Sequence, residues 1–151
     1  MKFKNILLPT DFSELAQYAA EFARSLAEKY GATLHVLHVR TSVLTPGPAP
    51  ELGMGVEVLV PDETELQASL DRFVAEHLSG LSVPVTSSLM IGSPAGQIAE
   101  YAKANAVDLI VIGTHARGLV NRILLGSVSK TVLESAHCPV LMIPLTAKSS
   151  S

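Results

Sequence analysis

The stretch that decides the fold runs from residue 107 to residue 118 and reads Val-Asp-Leu-Ile-Val-Ile-Gly-Thr-His-Ala-Arg-Gly. Its first six residues are almost continuously aliphatic, which is typical of a strand buried on both faces of a parallel sheet. The run ends at Gly113, where the chain enters a loop that carries arginines. Residues 140–143 have the same aliphatic character, so this half of the chain predicts two buried strands.

Outward from this stretch, apolar runs alternate with helical patterns. Further strands are predicted at Asn5–Pro9, at 33–39 and at 83–90, and the last strand runs from Pro139 to Ile143. Four helices are predicted from the helical spacing of apolar residues or from capping residues, at 13–30, 62–78, 93–104 and 127–135. Because strands alternate with helices, we predict an α/β protein with an open five-stranded parallel sheet and helices on both faces.

Local signals indicate where these elements begin and end. Gly31 sits where a left-handed C-cap is expected, Asp62 is a candidate cap of the second helix, and Ser93 offers a capping hydroxyl before a proline. Asp11, after the first strand, is open to two interpretations, a helix N-cap or a ligand contact. Prolines and glycines cluster between residues 41 and 61, which we interpret as a long loop.

The composition limits the class of protein. Of 151 residues, 48% are hydrophobic and 17% are charged, which excludes a disordered chain. The length predicts one domain, which we place at residues 1–144, and residues 145–151 are predicted to form a flexible tail. The formal net charge of −3 argues against binding to duplex nucleic acid, which rests on a basic surface. Mean hydropathy is +0.36, but no apolar run reaches the roughly 18 residues that a membrane-spanning helix needs.

The compartment is inferred from the N-terminus and from the single cysteine. The first residues lead into a short apolar run that ends at Pro9, without the longer apolar stretch and cleavage site of a secretory signal. Cys138 cannot form an internal disulfide and fits a reducing compartment. We therefore predict a cytoplasmic protein in which Cys138 is either a small buried hydrophobe or a reactive thiol.

Two segments compete for a ligand site, because open α/β sheets bind ligands beyond the carboxyl ends of their strands. One follows the first strand at residues 9–11, and the other spans residues 113–127. In the second segment Ser127 opens a helix, whose free N–H groups and dipole favour an anion such as phosphate. Arg117 and Arg122 supply positive charge there, unless they are solvated surface residues on an ordinary loop with a helix N-cap.

Two familiar kinds of site are excluded. Gly113 and Gly118 begin like a P-loop, but Leu119 stands where that motif requires lysine. His35 and His38 are three residues apart on a predicted strand, so they point to opposite faces and cannot chelate one metal ion.

Several separated motifs resemble the universal stress protein family. They are Ile-Leu-Leu-Pro-Thr-Asp-Phe-Ser at 6–13, Leu-His-Val at 37–39, Ile-Gly-Thr-His-Ala-Arg at 112–117, Leu-Gly-Ser-Val at 125–128 and His-Cys-Pro-Val-Leu at 137–141. The third and fourth are similar to the family's nucleotide-binding signature, Gly-x2-Gly-x9-Gly-(Ser/Thr), and the match spans about residues 3–144.

The resemblance implies a Rossmann-like sheet of strand order 3-2-1-4-5 that binds ATP. It also implies a homodimer, or a higher oligomer, formed through the last strand from Pro139 to Ile143, which would account for part of the apolar composition. The implied nucleotide contacts fall into three groups. Pro9, Thr10, Asp11 and Val39 border the adenine and ribose, Ile112 and Gly113 lie under the ribose and phosphates, and Gly126, Ser127, Val128 and, as a weaker candidate, Ser129 hold the phosphates.

One position departs from the signature, because its second glycine falls on Ala116, followed by Arg117. Alanine there costs about 1 kcal/mol if φ must be positive, and less if only space is needed. We predict a nucleotide-responsive binding module, with Mg²⁺ arriving on the triphosphate because no all-protein metal cage is visible. Two alternatives stay open: a dimeric family member without a nucleotide, in which Ala116 marks a lost site, and slow ATP hydrolysis or self-phosphorylation.

Overall fold

The computed structural model of the protein describes residues 2–41, 43–47, 50–53, 55–59, 62–114 and 127–144. Three of the predicted site residues, Ala116, Arg117 and Gly126, lie outside these ranges, and so does the predicted tail at 145–151.

The described chain contains seven strands and four helices. The strands are β1 (Asn5–Pro9), β2 (Thr33–Arg40), β3 (Val43–Pro46), β4 (Val56–Leu59), β5 (Val85–Ile91), β6 (Leu109–Thr114) and β7 (Val140–Pro144). The helices are α1 (Glu14–Tyr30), α2 (Glu63–His77), α3 (Pro94–Ala104) and α4 (Ser127–Ser135). Every strand and helix predicted from the sequence is present, with ends that differ by no more than two residues. None of the described helices has the length and hydropathy required to cross a bilayer.

Five of the strands form one parallel sheet in the order β5-β2-β1-β6-β7. Counted without β3 and β4, this is the order 3-2-1-4-5, so the predicted fold class and strand order are confirmed. The order reverses between β1 and β6, where connections leave the sheet in opposite directions. This arrangement opens a crevice beyond the carboxyl ends of those two strands.

Strand β6 begins two residues later than the sequence predicts, because the Asp108 side chain forms hydrogen bonds to the start of β1. Its carboxylate accepts hydrogen bonds from the backbone N–H groups of Lys4 (2.9 Å) and Asn5 (3.2 Å). These bonds join the residue before β6 to the start of β1. The buried aliphatic strand therefore begins one residue later, at Leu109.

The segment at 41–61, predicted as a long loop, instead contains a two-stranded antiparallel sheet, and the prediction is wrong there. Strands β3 and β4 pair from Val43 with Leu59 to Pro46 with Val56. The Gly47 N–H donates to the Gly55 carbonyl at 2.8 Å and closes the hairpin, with a 3-10 turn at Pro50–Leu52 between them. The prolines and glycines that suggested a loop are concentrated between the two strands.

The helices cover the sheet in two layers, each with its own hydrophobic cluster. Helices α1 and α2 contribute to the first cluster, and α3 and α4 contribute to the second. Helix α1 contacts the sheet through small side chains, which bring its axis close to the strands: Ala16, Ala19, Ala20, Ala23 and Ala27 are buried. Cys138 packs against the second cluster, where burial, aided by the charge of Asp108, raises the pKa of its thiol. Cys138 is half-buried, and the raised pKa fits a small packed side chain better than a reactive thiol.

The predicted caps have mixed outcomes. Gly31 ends α1 in the left-handed conformation at φ +65°, and the Asp62 side chain accepts from the Thr64 N–H at 2.8 Å, as predicted. Ser93 stands at the N-cap position of α3, but its hydroxyl makes no capping hydrogen bond. The prediction for that hydroxyl is therefore wrong, although Pro94 does occupy the first turn and needs no N–H partner.

A buried polar network crosses the sheet at His35, which is 8% exposed. Asn5 donates its amide N–H to the Ala106 carbonyl, so the Asn5 Oδ1 faces His35 and accepts from the ring Nε2–H at 3.0 Å. The ring Nδ1 is then the acceptor for the hydroxyls of Tyr101 (2.9 Å) and Thr86 (3.2 Å). The network thus requires the neutral ring, and burial lowers the pKa of His35.

The free energy of unfolding is expected to decrease when the pH falls below about 6.5, the ordinary histidine pKa. Because the folded pKa is lower than the unfolded one, the unfolded state binds the extra proton first, and stability is lost as acidity increases. Urea unfolding between pH 8 and pH 5 measures the slope. In His35→Gln, which retains the other four histidines, the slope should be smaller; equal slopes in both proteins would contradict the assignment.

Candidate functional site

A cleft of about 280 Å³ lies beyond the carboxyl ends of β1, β2 and β6 and against the first turn of α4. This volume is close to the lower end of the range for small-molecule sites, roughly 300 Å³. Nine of the predicted site residues line it: Pro9, Thr10, Asp11, Val39, Ile112, Gly113, Ser127, Val128 and Ser129. Described residues of both segments that competed for the site in the sequence, residues 9–11 and residues 113, 114 and 127, therefore line one cleft.

The loop between β1 and α1 is held by its own side chains. The Thr10 Oγ1 accepts from the Phe12 N–H at 3.0 Å, and the Asp11 Oδ1 accepts from the Ser13 N–H at 3.0 Å. Ser13 is the N-cap of α1, since its Oγ accepts from the Ala16 N–H at 3.3 Å. The N-cap interpretation of Asp11 is thus wrong, because Asp11 supports the turn that precedes the cap.

Phe12 adopts a left-handed backbone conformation at φ +66°, which is unfavourable for a bulky residue. Its ring packs on the His38 imidazole, with centroids 4.5 Å apart, and on Phe73 at 6.1 Å. These contacts and the Thr10 hydrogen bond compensate for the strain and fix the loop in one shape.

His38 is a cleft residue that the sequence analysis did not assign. Its Nδ1–H donates to the Thr10 carbonyl at 2.8 Å, because a carbonyl can only accept, and this bond joins the ends of β1 and β2. The sequence could have indicated His38 as a cleft residue through its position next to Val39, near the end of β2. His35 bonds to Tyr101 of α3 while His38 packs on Phe12, so the two rings face opposite sides, as predicted.

Gly113 is the point at which β6 approaches both helix layers. A Cβ on Gly113 would lie 2.7 Å from the Leu15 carbonyl oxygen of α1, closer than real Cβ atoms come. On the other side, the Gly113 carbonyl accepts from the Ser129 Oγ of α4 at 3.3 Å. The glycine is required by this packing, and the Ser129 hydroxyl, a predicted phosphate contact, is committed to the backbone.

Thr114 ends β6 and also lines the cleft, although the sequence analysis did not select it. Its side chain is 2% exposed, and its Oγ1 has no hydrogen-bond partner among the described residues. The sequence could have suggested it only through its place directly after Gly113.

The charged and metal-binding groups near the cleft are few in the described ranges. Asp11 is the acidic residue in the lining, and Ser127 begins a helix of nine residues whose first N–H groups have no intrahelical acceptor. No three His, Cys, Asp or Glu side chains within those ranges converge as ligands for a metal ion. The described lining therefore offers hydroxyls, the Asp11 carboxylate, the His38 ring, helix N–H groups and apolar walls.

A family model described as the universal stress protein family matches residues 2–144. The chain belongs to the universal stress protein family. This confirms the resemblance that the separated sequence motifs indicated.

Individual universal stress proteins are similar over most of their length. One from Thermus aquaticus is 36% identical over 145 residues, which cover 93% of this chain and 98% of that protein. The solved structure of UspA from Lactobacillus plantarum shares 26% identity at a TM-score of 0.68, covering 95% of this chain and 99% of that one.

Another universal stress protein of similar structure has been solved with a bound nucleotide. The structure from Archaeoglobus fulgidus, described as a complex with dAMP, has a TM-score of 0.65 and 23% identity, and the match covers 95% of this chain and 99% of that one. At this identity the likeness concerns the fold.

Proposed function

We propose that the cleft binds an adenine nucleotide, ATP with Mg²⁺ held through its phosphates, and that the protein is a nucleotide-responsive binding module. The observation that carries the proposal is the position of the cleft, at the strand-order reversal between β1 and β6 and against the start of α4. The nucleotide named for the Archaeoglobus fulgidus family member supports this ligand class.

The residues present fit such a ligand. Pro9, Val39 and Ile98 provide apolar surface for a base, and the Asp11 carboxylate is an acceptor for ribose hydroxyls. At the other side, the first turn of α4 presents N–H groups and the positive end of the helix dipole, both of which favour phosphate. Mg²⁺ is proposed to come with the triphosphate, because this ion is usually held by substrate phosphates, waters and one or two side chains.

A calorimetric titration with ATP, ADP, AMP and GTP, with and without Mg²⁺, tests the proposal. In Ser127→Glu, a carboxylate at the start of α4 is compatible with the helix dipole but repels phosphate, so ATP affinity should fall by at least about tenfold. The matched control is Thr131→Glu, one turn further along the same helix on an exposed residue, which should retain affinity. Absence of binding by the wild type to all four nucleotides would contradict the proposal.

We also propose that two copies of the chain pair along β7. This strand is one edge of the sheet, it is aliphatic, and Leu141 on it is 37% exposed. An exposed apolar edge strand is a template for pairing with another strand. If the protein forms this dimer but binds no nucleotide, it is a dimeric family member whose nucleotide site has been lost.

A further inference from the structure

His38 contacts both residues that flank Asp11 in the loop between β1 and α1. The His38 Nδ1–H donates to the Thr10 carbonyl at 2.8 Å, and the imidazole lies against the Phe12 ring, with centroids 4.5 Å apart and planes inclined by 30°. Asp11 is exposed between these two residues, and His38, Thr10 and Asp11 all line the cleft. The position of the Asp11 carboxylate is therefore governed by a loop that His38 holds on both sides of it.

The shape of this loop depends on side-chain support. Phe12 has φ +66°, a conformation that strains a bulky residue and persists only where the surroundings impose it. Its N–H is bonded to the Thr10 Oγ1 at 3.0 Å, which satisfies the backbone but does not hold the ring. The ring has aromatic contacts to His38 at 4.5 Å and to Phe73 of α2 at 6.1 Å between centroids. Because His38 is the nearer of the two, its loss should allow the loop to relax and Asp11 to move.

We propose that His38 is a positioning residue of the nucleotide site, which keeps the Asp11 carboxylate within reach of the ribose hydroxyls. The inference rests on the proposed function and names what orients one of its contacts. A hydroxyl that donates to a carboxylate forms a charge-assisted hydrogen bond, which is strong but depends on distance and angle. His38 acts on the ligand through the loop, so its removal should affect ligands that have ribose hydroxyls and spare those that lack them.

Calorimetric titrations with ATP and with dideoxy-ATP, which lacks both ribose hydroxyls, test this role. In His38→Leu, which removes the donor and the ring, the Kd for ATP should increase roughly tenfold, and the Kd for dideoxy-ATP should change by less than about threefold. His38→Asn, whose amide N–H can replace the Nδ1–H, should recover part of the affinity for ATP. The matched control is His77→Leu, because His77 packs on Phe73 with centroids 5.0 Å apart but is not among the residues that line the cleft. Both Kd values should be unchanged in this control.

A second measurement, amide hydrogen exchange, needs no ligand. The N–H groups of Phe12 and Ser13 are bonded to side chains of the loop, so their exchange rates report how firmly the loop is held. In His38→Leu both amides should exchange at least about tenfold faster than in the wild type, because the loop opens locally. The Gln97 N–H, which is bonded at the start of α3, should keep its rate. His77→Leu should leave all three rates unchanged.

The possible results separate this inference from the proposed function. If the wild type binds no nucleotide, the proposed function fails and the inference fails with it. If the wild type binds ATP and dideoxy-ATP equally well, the ribose hydroxyls make no contact and only the role of His38 is refuted. Equal losses for the two ligands in His38→Leu, or unchanged exchange at Phe12, would refute that role as well. If His38→Leu does not fold, His38→Phe, which keeps a ring against Phe12 and lacks the Nδ1–H, decides between the same outcomes.

Discussion

Replacing Gly113 with alanine is expected to lower the free energy of unfolding by about 3 kcal/mol, the upper part of the usual range for overpacking a core. The new Cβ would lie 2.7 Å from the Leu15 carbonyl oxygen and 3.0 Å from its carbonyl carbon. Both neighbours are backbone atoms of α1, which cannot rotate away as a side chain can. Relief therefore requires that β6 and the helix separate, and buried contacts along both are lost.

The same displacement should weaken ligand binding, because Leu15 and Gly113 both line the cleft. Urea unfolding and an ATP titration measure the two effects on one preparation. Gly96→Ala is the matched control: its Cβ would meet Ser93 at 3.8 Å, an ordinary contact, on an exposed turn of α3. There alanine should stabilise by roughly 0.5 kcal/mol or more through helix propensity. Equal effects of the two substitutions would refute the close approach at Gly113.

Leu141→Lys is expected to convert a dimer of this chain into a monomer. A charged side chain on an edge strand opposes strand pairing, because pairing would bring two copies of the lysine into an apolar contact. Since Leu141 is already 37% exposed, the monomer itself should remain folded. Sedimentation at several protein concentrations should then give a mass near 16.0 kDa for the variant, the mass of one chain.

The control for this experiment is Ile91→Lys. Ile91 ends β5 at the opposite edge of the sheet and is 52% exposed, so the same kind of charge is placed on an edge that the proposal does not use. This variant should keep the dimeric mass. A monomeric wild type, or a dimer lost in Ile91→Lys but kept in Leu141→Lys, would contradict pairing through β7.

The fold was predictable because its central strands, β1, β2 and β6, are largely buried and therefore have a distinctive aliphatic composition, whereas β7, predicted from the same pattern to be buried, is a partly exposed edge strand. Apolar runs such as the one around Val111, alternating with helical patterns such as the one before Gly31, predicted the order of the elements, and the family resemblance predicted the strand order. The β3–β4 hairpin was missed because its strands are only four residues each and flank a cluster of prolines and glycines. Short strands carry too few alternations to outweigh such a cluster.

The site was predictable at the level of segments but less so at the level of atoms. Asp11 could be placed beyond the carboxyl end of β1 from the topology, and Val39 from the family resemblance. The sequence could not show that Ser13 rather than Asp11 caps α1, or that the Ser129 hydroxyl bonds to Gly113, because these depend on side-chain geometry. His38 and Thr114 were missed for the same reason: burial and the presence or absence of a partner are properties of the folded chain.

The central position of β1 has a consequence for the order of folding. This strand is synthesised first, yet one of its two neighbours is β6, and the bond between Asn5 and Asp108 joins residues 103 apart in the chain. At a translation rate of roughly 5–20 residues per second, β1 waits on the order of 5–20 s for β6 to emerge. During that time β1, with its apolar side chains Ile6, Leu7 and Leu8, can pair with β2 but not yet with β6. The nascent chain therefore completes its core late, and a ribosome that stalls before β6 would release a fragment with an open, aggregation-prone edge.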